Sequence, residues 1–135
     1  MKQLFFLLLT TILLVGCQSK PVTGETIPAN GGSYQSLTAA ELHTMLKNKD
    51  FVFINVHIPF AGNIPGTDLS IPYDQIEESL SQFPSDKNAR IVLYCRSGRM
   101  SQIAAETLVS LGYTNVWDLQ GGMADWEQAG FDLEE

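Results

Sequence analysis

One cysteine stands where a thiol can be made reactive. Cys95-Arg96-Ser97-Gly98-Arg99-Met100-Ser101 follows the short apolar run Ile91-Val92-Leu93-Tyr94. That run has the composition of a buried strand. Beyond the loop, Ile103, Ala104, Thr107, Leu108 and Leu111 recur at helical spacing, predicting a helix from Ser101 to Leu111 that Gly112 ends. The first turn of a helix offers unpaired N–H groups and the positive end of its dipole. Gly98 permits a tight loop whose amides gather around an anion. Arg96 and Arg99 add two permanent positive charges. A free thiol has a pKa of about 8.5, and each unit by which it is lowered is worth ~1.4 kcal/mol to the anion. The expectation is a largely ionised, nucleophilic Cys95. The competing reading is an inert buried cysteine, against which two arginines, a glycine and a helix start within six residues all weigh.

The elements that must position this loop can be read along the chain. Tyr34–Leu37 reads as a short first strand, and Thr38 with Glu41 matches a capping box opening a helix with Leu42, Met45 and Leu46 on its apolar face. His43 falls in that helix as a surface residue. Phe51–Val56 is dense enough in apolar residues for a central parallel strand. Ser70-Ile71-Pro72 reads as a short strand, and Ile76, Leu80 and Phe83 place a surface helix over Tyr73–Phe83. Asn115–Leu119 reads as the last strand. Gly121-Gly122 then permits close backbone approach before a helix bearing Trp126, and both Trp117 and Trp126 read as packing residues. Strands alternating with amphipathic helices predict an α/β fold, a mainly parallel sheet with helices on both faces. Ligands bind such sheets at the carboxyl ends of the strands, where Cys95 falls.

With those residues in view, the loop CRSGRMS resembles the active-site loop of rhodaneses, the sulfurtransferase superfamily. Two further blocks carry the resemblance. The segment after the central strand resembles the family's Asp-x-Arg followed by Gly-His-Ile-Pro-Gly, with Ile64-Pro65-Gly66 kept but Asn55, His57 and Asn63 standing for the aspartate, arginine and histidine. In relatives those charged positions brace the loops around the site, so the replacements put that bracing in question. Gly121-Gly122-Met123-Ala124-Asp125-Trp126 resembles the closing Gly-Gly-x-x-x-Trp. The resemblance spans roughly Tyr34 to Phe131. It implies a rhodanese-like three-layer fold and a Cys95 persulfide formed from a small anionic donor, thiosulfate or a persulfide, and passed to a thiol or cyanide. It implies that Arg96, Ser97, Gly98, Arg99, Met100 and Ser101 bind the substrate, and that no metal or organic cofactor is required. Met100 stands where some relatives carry arginine, which bears on donor preference. A cysteine phosphatase or arsenate reductase needs an arginine six places after the cysteine, where this chain has Ser101. The alternative from another class is a non-catalytic sulfur carrier or partner-binding module.

Charge and leader bound the setting. Fifteen acidic residues against eight basic ones give a net charge of -7, which argues against nucleic acid as a partner. Met1-Lys2 followed by apolar Leu4–Val15 is too short to span a membrane and fits a signal peptide over residues 1–16. Leu14-Val15-Gly16-Cys17 looks like a bacterial lipobox, which implies lipidation of Cys17 and anchoring to a membrane of the cell envelope. Residues 17–33, rich in Pro, Gly, Ser and Thr, read as a flexible tether, and residues 34–135 as the domain. The chain has two cysteines, so a lipidated Cys17 leaves Cys95 as the single thiol. That argues against a dithiol mechanism.

Overall fold

The computed structural model describes Gly16 and residues 20–135. The apolar run 4–15 and Cys17 lie outside the described residues. Six strands form one sheet: β1 (Glu25–Ala29), β2 (Gly32–Leu37), β3 (Val52–Asn55), β4 (Leu69–Ser70), β5 (Ile91–Tyr94) and β6 (Val116–Leu119). Their order is β1-β2-β6-β5-β3-β4, antiparallel between β1 and β2 and parallel at every other pairing. Among the described residues three α-helices cover the faces: α1 (Ala39–Leu46), α2 (Arg99–Ser110) and α3 (Gly122–Gln128).

The central strand β5 explains the layering. Its four residues are all buried, as a strand covered on both faces requires. Ile91, Leu93 and Cys95 enter the core beneath α2 with Ala104, Ala105, Leu108 and Val109. Val92 and Tyr94 enter the opposite core with Leu42 of α1 and Met123 and Trp126 of α3. The mainly parallel sheet with helices on both faces is therefore as the alternation of elements predicts. At the start of α1 the Thr38 hydroxyl accepts from the Glu41 N–H, while the Glu41 carboxylate accepts from the Thr38 N–H at 2.8 Å, the reciprocal capping box. His43 is half-buried and stacks on Phe131 at 4.2 Å between ring centroids.

Three expectations are corrected. The tether predicted over 17–33 ends sooner, because Glu25–Ala29 pairs with Gly32–Leu37 in a hairpin turned by Asn30-Gly31. Asn-Gly is a strong two-residue hairpin signal, and Gly31 supplies a φ of 91°. The helix expected over Tyr73–Phe83 is a succession of turns ending in a 3-10 helix at Leu80–Gln82. Bonds such as Gln75 N–H to Pro72 O and Phe83 N–H to Leu80 O span three residues, and they bury Ile76 and Phe83 without a continuous helix. Helix α2 begins at Arg99, two residues before its expected start. Its inward face is Ser101, Ala104, Ala105, Leu108 and Val109, and Ile103 is exposed.

Candidate active site

Cys95 follows directly on β5, at the carboxyl end of the strand between β6 and β3. The polypeptide then turns through Arg96-Ser97-Gly98 into α2. Gly98 is the N-cap of α2 with a φ of 100°, a left-handed conformation that favours glycine. This turn aims the Gly98 N–H at the Cys95 sulfur, 3.0 Å from Sγ. Ser101, one turn further on, sets its Oγ 3.5 Å from Sγ and donates to Gly98 O at 3.1 Å. Cys95 is a free thiol, 1% exposed, and Ser101 is fully buried. Of the amides from Arg96 to Met100 that the sequence offered as a cradle, only that of Gly98 reaches Sγ. No side chain caps α2, so its first-turn amides keep their capacity to bind an anion.

The end of the chain clamps this loop from behind. The first amides of α3 grip the loop carbonyls, Met123 N–H donating to Cys95 O at 2.8 Å and Ala124 N–H to Arg96 O at 2.9 Å. A Cβ on Gly122 would lie 2.2 Å from Cys95 O, which leaves glycine as the residue that fits. The paired glycines thus join two sequence blocks 27 positions apart, taking Cys95 to Gly122.

Around the buried sulfur lies a charged rim. Arg96, Ser97 and Arg99 are exposed, and neither arginine forms an ion pair with a described residue. Met100 is half-buried and packs on the core under α2. His57 is half-buried nearby, its pKa held below the usual imidazole value by burial first and by the Arg96 charge second. The sulfur is 1% exposed, and Arg96, Ser97 and Arg99 of the loop above it are exposed.

The replacements at the second block build a brace without charges. Asn55, at the end of β3, donates from Nδ2 to Gly62 O and to Asn63 Oδ1, both at 3.0 Å, and its Oδ1 accepts from the His57 N–H at 3.0 Å. Tyr94 is the hub on β5: its hydroxyl accepts from the Ile64 N–H at 3.0 Å, contacts Thr67 Oγ1 at 2.7 Å and donates to Asn63 Oδ1 at 3.2 Å. Burial pushes the Tyr94 pKa up, which keeps the hub neutral, against opposing hydrogen bonds led by Thr67. Neutral amides thus hold the loop where the family pattern has charged groups.

Sequence reasoning missed two members of this neighbourhood. Tyr94 reads as one more apolar strand residue, and only the pairing of β5 with β3 reveals its hydroxyl network. Asp118 in β6 is fully buried, and neither carboxyl oxygen has a hydrogen-bond partner among the described residues. Burial raises its pKa to about 7, opposed by the neighbouring Ser101 hydroxyl, which in this structure donates to Gly98 O. A cleft of about 880 Å³ lies elsewhere, bounded by Phe60, Glu127, Phe131 and Glu134. Among the described residues no cluster of His, Cys, Asp or Glu is placed to hold a metal ion.

Residues 38–129 match the family model described as the rhodanese-like domain. The tRNA uridine(34) hydroxylase of Erwinia tasmaniensis is 30% identical over 112 residues, 78% of this chain and 31% of that protein. The chain spans about three-tenths of the length of the curated relatives it matches. The crystal structure of a rhodanese-related protein from Thermoplasma volcanium superposes with a TM-score of 0.63 at 28% identity, over 74% of this chain and 97% of that one. A rhodanese-like domain protein from Staphylococcus aureus gives a TM-score of 0.61 at 29% identity, over 74% and 98%.

Proposed function

The chain belongs to the rhodanese-like domain family, and on that footing we propose that it is a sulfurtransferase working through a persulfide on Cys95. The observation that carries the reading is the contact of the Gly98 amide with the free Cys95 sulfur, in a loop whose two exposed arginines form no ion pair among the described residues. The Cys95 thiolate attacks the outer sulfur of thiosulfate or a persulfide. A new S–S bond forms, the donor's S–S bond breaks, and sulfite or a thiolate leaves with the electron pair. Arg96 and Arg99 draw the anionic donor in and stabilise the leaving charge. The Gly98 amide, the Ser101 hydroxyl and the free amides of the first turn of α2 hold the persulfide anion. A thiol or cyanide then takes the outer sulfur and restores Cys95. Ser97 and Met100 complete the rim and set which donor fits.

A donor and acceptor screen comparing the wild type with Cys95→Ser tests this reading. Parallel double-reciprocal lines and complete loss of turnover in Cys95→Ser are expected. Equal turnover in the variant overturns it. Hydroxylation of tRNA uridine 34 belongs to proteins of which this chain matches only a part, and its net charge of -7 opposes an RNA substrate.

The same proposal includes anchoring through a lipid on Cys17, supported by Leu14-Val15-Gly16-Cys17. No helix among the described residues is long and apolar enough to cross a membrane. Seven residues separate Cys17 from β1, a reach of roughly 24 Å when extended. Such a tether holds the domain close to the membrane surface on the extracytoplasmic side. Metabolic labelling with an alkyne fatty acid reads this out, and equal label in Cys17→Ser contradicts it.

A further inference from the structure

The carboxyl of Asp118 has no part in the mechanism above, yet it lies in the layer that holds the reactive sulfur. Asp118 pairs in register with Leu93 of β5, two residues before Cys95, and with Ser36 of β2. It is fully buried, and both carboxyl oxygens lack a completed hydrogen bond among the described residues. A carboxyl in that state is costly unless its environment gives it a use. Ser101 neighbours both groups, its hydroxyl 3.5 Å from Cys95 Sγ and near enough to Asp118 to influence its ionisation.

We propose that Cys95 and Asp118 share one negative charge through the Ser101 hydroxyl, which makes Asp118 the positioning residue for the proton of the nucleophile. While Cys95 is a thiol, its S–H donates to Ser101 Oγ and the Ser101 O–H turns from Gly98 O to the Asp118 carboxylate. When the sulfur becomes anionic, the S–H bond breaks and Ser101 Oγ takes that proton as its own passes to Asp118. The Asp118 O–H then donates to Ser101, and the Ser101 O–H donates to the sulfur anion. Two protons shift in relay for a net transfer of one from Cys95 to Asp118, no electron is transferred, and the buried layer holds a single charge in both states. That is the arrangement a low-dielectric interior favours over two like charges.

The groups around Asp118 support this assignment. Tyr34 faces it from β2 and is kept protonated, its pKa raised by burial first, then by Asp118 and by Glu106 of α2. No cationic side chain lies within ion-pair distance of Asp118 among the described residues, so no fixed positive charge holds its carboxyl ionised. The use of this exchange in turnover rests on the sulfur-transfer reading. A persulfide anion formed from a neutral thiol leaves one proton behind, and Asp118 retains it whenever it begins ionised.

The test follows the thiolate absorbance band against pH in the full-length wild type and Asp118→Asn, with Cys95→Ser as the blank. Removing the competing charge is expected to bring the Cys95 midpoint down by about one pH unit, a tenfold gain in thiolate. The carbon resonance of the Asp118 carboxyl gives a second readout that leaves residue 118 intact. It should show two inflections in the wild type, the later one tracking the thiolate band, and one in Cys95→Ser. An unchanged thiolate midpoint in Asp118→Asn, or an Asp118 curve indifferent to Cys95→Ser, overturns the proposal. Sulfur uptake is measured separately on the same wild-type samples. Its absence defeats the sulfur-transfer reading alone, since both titrations run without a donor.

Discussion

Two loops leave the carboxyl ends of neighbouring strands, and they are held by opposite means. The Cys95 loop after β5 is gripped through its backbone, by the α3 amides on Cys95 O and Arg96 O and by the close approach of Gly122. The loop after β3 is tied by side chains, through Asn55, Asn63, Thr67 and the Tyr94 hydroxyl. The difference has a functional meaning. With the backbone clamped, Arg96 and Arg99 form no ion pair among the described residues, which on the proposed reading leaves them to an anion. Bracing by neutral amides keeps competing charge out of the second loop.

The largest expected effect breaks the clamp. Gly122→Ala drives a methyl group into Cys95 O at a φ of 56°, and a loss of about 4 kcal/mol or more is expected in urea unfolding, with sulfur loading abolished. In the side-chain-tied loop, Gly66→Ala meets Leu46 Cδ2 at 3.4 Å. It bears mainly the left-handed strain, about 1–2 kcal/mol. Equal losses at the two glycines would erase the contrast.

The next effect is a pH slope. The pKa of Asp118 is about 7 in the folded protein against 3.8 for the free group, so the folded state binds this proton more tightly. Stability contributed by the protonated form is present below the unfolded value and is lost as pH rises through that interval, on the order of 4 kcal/mol in all. Asp118→Asn should flatten the difference in melting free energy across the window. An identical slope in the variant would show that Asp118 ionises freely when folded.

Asn55→Ala removes three hydrogen bonds from the neutral brace and should cost about 2–3 kcal/mol. The loss should be nearly the same at about pH 5 and about pH 8, because the atoms Asn55 bonds are backbone and amide groups that carry no charge at either pH. A penalty that grows with pH would mean that a charged group has been overlooked. The smallest effects belong to the rim. Arg96→Ala or Arg99→Ala should raise the donor KM about tenfold, near 1.4 kcal/mol, and shift stability by no more than about 0.5 kcal/mol. The KM effect should shrink as salt rises.

Much of this was legible from residue order. The strand before Cys95, the helix after it, the Thr38 capping box and the paired glycines are local patterns with local causes, and they fold as local physics directs. The hairpin at Glu25–Leu37 was hidden because Pro28, Gly31 and Gly32 give it the composition of a linker, although Asn30-Gly31 was its signal. The segment after Pro72 kept helical spacing at Ile76, Leu80 and Phe83, which successive turns satisfy equally well. Asn55, Asn63 and Tyr94 were readable as residues but not as a network, since their bonds link positions up to 31 apart. Asp118 gave no signal at all. One acidic residue in a four-residue strand does not reveal which face it turns to or what lies there.

The central claim is that the backbone-clamped loop accepts an anionic sulfur on Cys95, and intact-mass spectrometry after incubation with thiosulfate tests it most directly. The account predicts one added sulfur atom on the wild type, none on Cys95→Ser, and its removal by cyanide with release of thiocyanate. Folded wild-type protein that gains no sulfur from thiosulfate or from any persulfide donor would contradict it.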